Sequence, residues 1–194
     1  MNAAEQAAIL LDMSVALKKH GSWAGETHVQ KATYLLQNLL GVPVGLNFVL
    51  YKHGPFSFEF RDLLGQMEAQ RVIALEEQPY PWGPKIVEGT AAQVARRLAA
   101  GAAEDQRQIE FVAGELRDSS VSTLERIATA LMISLDRSVP LDRQSARLME
   151  LKPHVLLEDA KAAFARLAEI RLAAVPCVSG TERPRQRASG AGSF

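Results

Sequence analysis

The stretch Tyr51-Lys52-His53-Gly54-Pro55-Phe56-Ser57-Phe58-Glu59-Phe60-Arg61, continued through Leu63, Leu64 and Met67, decides how the chain is read. It reads as a strand end, a tight turn and the start of an amphipathic helix. Pro55 has no amide hydrogen for a sheet ladder and biases its predecessor away from helical geometry, so Gly54-Pro55 punctuates the chain. Ser57 is placed to cap the next helix, with Glu59 in the first turn where a negative charge meets the helix dipole. Phe60, Leu63, Leu64 and Met67 then recur at i, i+3, i+4 and i+7, one apolar stripe.

Upstream, two helices are expected. The first covers Ala3–Lys19, with Asn2 and Glu5 at capping-box spacing, a stripe of Ile9, Leu10, Met13 and Leu17, and a stop at His20-Gly21. The second opens at Thr27 with Gln30 three residues on, buries Val29, Leu35, Leu36, Leu39 and Leu40, and ends at Gly41. Leu46–Lys52 alternates as a strand, with Leu46, Phe48 and Leu50 on one face. Downstream, Val72–Leu75 and Lys85–Glu88 read as two short strands around the turn-rich "EEQPYPWGP" (Glu76–Pro84). A helix followed by such a hairpin is the outline of a winged helix.

Beyond Thr90 the composition shifts to Ala, Arg and Glu and the chain reads as helix throughout. Thr90 with Gln93 caps Ala91–Ala100, closed by Gly101. Ile109 to Leu116 marks the next helix. Ser122 with Glu125 opens another that buries Leu124, Ile127, Leu131 and Leu135. Pro140 suits a first helical turn, Pro153 breaks the chain again, and Leu157, Ala160, Phe164 and Leu167 form the last stripe. From Pro176 periodicity is lost, and Arg183, Arg185 and Arg187 stand against Glu182, the pattern of a disordered tail. The expected architecture is α+β and mostly helical. A winged-helix-like N-terminal half with a small antiparallel sheet (1–90) carries a helical extension packed on it (91–175), in one compact domain, with a tail over 176–194.

Formal charge over the 194 residues is +0, from 22 basic and 22 acidic side chains, so no global field draws the protein to nucleic acid or an anionic membrane. The single Cys177 excludes an intramolecular disulfide. The apolar run Ala7–Leu11 is short and flanked by Glu5 and Asp12, which suits neither a signal peptide nor a membrane span, and a cytoplasmic location is expected. His20, His28, His53 and His154 are too dispersed for zinc spacing, Cys177 has no base fixed beside it, and no phosphate loop or nucleophile elbow occurs. Glu76-Glu77, Glu104-Asp105 and Glu158-Asp159 read as strand ends or helix starts. These features point to a protein without catalysis, metal or cofactor.

The run "LYKHGPFSFEFRDLLGQMEAQRVI" (Leu50–Ile73), the preceding "VQKATYLLQNLLG" (Val29–Gly41) and the later "LKPHVLLEDAKAAF" (Leu151–Phe164) resemble the SocA/Panacea antitoxin-domain group and its YwgA-type relatives. The resemblance touches about a third of the chain. It implies a surface for another protein, a toxin or a client delivered to a protease, rather than an active site. The helices after Thr90 and the "LKPH" segment are closer to the YwgA-type members, whose role is unassigned. Candidate partner-binding residues are Lys31, Tyr34, Lys52 and His53 near the turn, and Tyr80 and Trp82 on the proline-stiffened loop, where exposed aromatics make good anchors. The competing reading of Trp82 is a ring folded back over the core beneath the hairpin. The alternative function is a winged-helix regulator that reads DNA with Arg61, Gln66, Gln70 and Arg71. Against it, Ser57–Arg71 carries two bases and three acids, a poor match to phosphates.

Overall fold

The computed structural model describes residues 1–80, 82–99 and 105–178. Its elements are α1 (Ala3–Lys19), α2 (Glu26–Leu40), β1 (Val49–Tyr51), β2 (Gly54–Phe56), α3 (Phe58–Ala69), β3 (Ile73–Glu76), β4 (Lys85–Glu88), α4 (Ala92–Leu98), α5 (Gln106–Leu116), α6 (Val121–Leu135), a 3-10 turn (Leu141–Arg143), α7 (Gln144–Leu151) and α8 (Leu157–Val178). The fold is α+β and mostly helical, and the strands pair as two separate antiparallel ribbons, β1 with β2 and β3 with β4. Among the described residues no helix is long and apolar enough to cross a membrane.

Two helices make the centre. α1 begins on a full capping box: Asn2 Oδ1 accepts from the Glu5 amide and Glu5 Oε2 from the Asn2 amide, both at 2.9 Å. It buries Ile9, Leu10, Leu11, Met13 and Leu17, a spread wider than one stripe, because α2, α4 and α5 all pack around it. α2 is enclosed in the same way by α1, α5, α6 and α8. That enclosure corrects the expected start at Thr27. The helix opens at Glu26 on Gly25 without a side-chain cap, and Gln30 turns inward, its Nε2 3.5 Å from the Ser57 carbonyl.

The opening stretch is a hairpin rather than a strand end followed by a turn. Lys52-His53 makes the bend, Tyr51 lies opposite Gly54, and Leu50 lies opposite Pro55. A proline is tolerated in such a two-stranded ribbon, where β2 lacks a further strand to bond. The expected strand over Leu46–Lys52 shrinks to Val49–Tyr51, because side chains bond the backbone before it. Gln37 pairs both ways with Leu46, at 2.8 and 3.0 Å, and Glu59 Oε2 takes the Asn47 amide at 2.8 Å. The α3 cap is as expected: Ser57 Oγ accepts from the Phe60 amide at 3.1 Å, and Phe60, Leu63 and Met67 are buried.

Two other caps shift. α4 starts at Ala92 with no hydroxyl cap, since the amides of Ala91 and Ala92 bond the carbonyls of Arg71 and Gly89. α6 is capped by Ser120, whose Oγ accepts from Thr123, two residues before the expected Ser122. Pro140 precedes the 3-10 turn rather than opening α7 itself. α8 runs past the expected end at 175 and through Pro176 to Val178, with Ala174 and Cys177 buried on either side of the proline. The helix closure at Gly101 and the tail over 179–194 lie outside the described residues.

Candidate functional site

Two constellations among the described residues bring together side chains singled out from the sequence. The first lies beneath the β1–β2 hairpin. Lys31 on α2 is only 2% exposed and its Nζ donates to the Pro55 carbonyl at 2.7 Å. Lys152, at the end of α7, donates to the carbonyls of Tyr51, at 3.1 Å, and Lys52. Glu125 on α6 supplies the opposing charge and its Oε1 lies 3.0 Å from His53 Nδ1. Burial pushes Lys31 down to about 8, eased by Glu125 and worsened by Lys152; burial lowers Lys152 too, with Glu125 again acting the other way. Each lysine is spent on backbone oxygens. The cluster braces a hairpin, and the space beside it, lined by Glu125, Thr129, Lys152 and His154, is about 60 Å³.

The second constellation is a groove of about 630 Å³ between α3 and the β3–β4 ribbon. The α1–α2 turn builds one wall. Ala24, at φ 53°, accepts through its carbonyl from the Ile86 amide at 3.0 Å, which locks the turn against β4. Trp23 is thereby set beside the loop, with its Nε1 donating to the Gly83 carbonyl at 3.2 Å and its ring 4.9 Å from that of Trp82. Lys85 Nζ covers Trp23 at 4.3 Å. Trp82 remains 61% exposed, so it both packs on a neighbour and faces solvent. Leu64, Ile73, Leu75 and Ile86 make the apolar lining. Gly65, in the middle of α3, lies in the same groove, and a Cβ placed there meets nothing within 4 Å.

The expected residues divide between these places. Lys31 and Tyr34 are both 2% exposed, which corrects their placement on a surface: α2 carries them into the core. Tyr34 meets Phe48 edge-on at 4.9 Å, and burial raises its hydroxyl pKa. Lys52 and His53 are exposed at the hairpin tip, next to the brace. Tyr80 projects, 98% exposed, and is not among the groove-lining residues. The four DNA candidates do not gather on one surface. Arg61 lines the tryptophan groove, paired with Glu26 at 3.1 Å and stacked over Phe56 at 4.8 Å. Gln66 and Gln70 line a separate apolar groove with Ala3, Met67 and Leu98, and Arg71 sits beyond α3 at φ 58°.

Trp23 and Gly65 were not singled out from the sequence. Gly65 carried a signal, since a glycine inside a helical stripe normally weakens the helix and needs a reason. Trp23 carried none, because its contact with Trp82 joins two distant turns. Neither a protein-family model nor a curated protein matches the chain.

Proposed function

We propose that this chain is a protein-interaction module of the antitoxin or adaptor type, which binds a partner protein, to neutralise or present it, without catalysing a reaction. The partner inserts a segment into the groove between α3 and the β3–β4 ribbon. The observation that carries this reading is that one groove is lined both by Gly65, where a helix carries no side chain, and by the half-open ring of Trp82. Large aromatic surfaces with few rotatable bonds are the usual anchors of protein interfaces. The constellation beneath the hairpin lacks room for a substrate, and its lysines are committed to carbonyls.

The test compares wild type with Trp82→Ala and Gly65→Leu in an affinity pull-down from native lysate at low and high salt. A stoichiometric protein retained at high salt by wild type and lost by both variants is the expected outcome, with Trp82→Ala weakening binding by about 2 kcal/mol. Retention of that partner by both variants would remove the groove from the reading. Nucleic acid held at low salt, with no protein partner, would favour the DNA regulator instead.

A further inference from the structure

The ionisable residues lining the groove leave one charge unanswered. Arg61 is paired with Glu26 at 3.1 Å. His28 is buried and its pKa is lowered by that burial, so the ring is neutral near pH 7. Lys85, at the rim, sits on Trp23 and opposite Glu76 in the strand register. Glu68, exposed on α3, lines the groove and has no ion-pair partner among the described residues. One uncompensated carboxylate therefore shares the groove with the open ring of Trp82. An indole face attracts a cation, and a guanidinium stacks on it best because it is flat and weakly hydrated. The chain already uses this chemistry, placing its own Lys85 on Trp23 and Arg61 on Phe56.

We infer that the groove takes a basic segment of the partner, an arginine beside apolar residues, with its guanidinium on Trp82 and against Glu68 and the apolar neighbours on Leu64, Ile73 and Leu75. This rests on the protein-binding reading of the groove. Gly65 fits the assignment, since it lies three residues before Glu68 on the same helix face and leaves open the approach to that carboxylate.

A random peptide library displayed on phage, selected on immobilised full-length protein, tests the inference. Selected peptides are then assayed against wild type, Trp82→Ala, Gly65→Leu and Glu68→Arg, each first checked for a cooperative thermal transition. The expected result is a set of peptides enriched in arginine next to apolar residues, lost on Trp82→Ala and Gly65→Leu. Glu68→Arg should weaken them at least about tenfold, and rising salt should weaken them too. Glu68 is exposed, so its reversal leaves the fold intact and keeps the test interpretable if Trp82→Ala unfolds. Peptides that need Trp82 or the open groove yet show no basic enrichment, or are indifferent to Glu68→Arg, would overturn the inference and leave the groove reading standing. Selection of no peptide sensitive to either groove variant would overturn both.

Discussion

Gly54 sits at φ 81°, and a Cβ there would come within 2.8 Å of Thr129 Oγ1 and 3.2 Å of the Glu125 carbonyl oxygen. Both objections act together: an L side chain is strained in that region, and α6 stands directly behind it. Gly54→Ala should therefore lower stability by about 2–3 kcal/mol, read as a shift in the urea midpoint with an unchanged slope. Glu125→Gln tests the neighbouring charge. It removes the carboxylate that faces His53 and eases the burial of two lysines, so a loss of about 2 kcal/mol is expected from the same titration. The importance of Gly54-Pro55 was legible in the sequence, since few residues tolerate a sharp reversal. That Lys31 and Lys152 converge on the hairpin's carbonyls was not, because nothing in local spacing reports which distant amine will satisfy a turn.

Within α3 the glycine at position 65 weakens the helix without serving its packing. Gly65→Ala should raise stability by about 0.5–1 kcal/mol, measured by thermal melting, while Gly65→Leu abolishes partner retention. Gain of stability with loss of binding would mark a helix shaped for something other than its own fold. Helix identity was written clearly in the apolar periodicity of α1, α3, α5 and α6. Helix starts were not, because backbone carbonyls can do a hydroxyl's work, as those of Arg71 and Gly89 do for α4. The strand boundary failed for a related reason: Gln37 and Glu59 occupy backbone groups that alternation alone assigned to a ladder. Of the groove, Trp82 could be read from its place on a proline-stiffened loop, but the wall carrying Trp23 depends on the lock between Ala24 and Ile86, a contact set by tertiary packing.

At the scale of the molecule, burial of Lys31 makes stability depend on alkaline pH. Its pKa is about 8 in the folded protein against an ordinary value of 10.5, so between these values the unfolded chain binds more protons and stability rises with pH. Below about 8 the contribution is flat, and above about 10.5 it is complete. Its size is on the order of 3 kcal/mol. Comparing denaturation midpoints of wild type and Lys31→Met from pH 7 to 11 isolates it. The difference should move in favour of wild type as pH rises, and a constant difference would show that the amine titrates normally. The brace also has a temporal side. Lys152 is 101 residues beyond the Tyr51 carbonyl that it bonds, so during synthesis at roughly 5–20 residues per second the hairpin waits about 5–20 s for its last support. For that interval the nascent chain carries a hairpin whose Tyr51 and Lys52 carbonyls have no amine to hold them, so the bend is free to open until the end of α7 has left the ribosome.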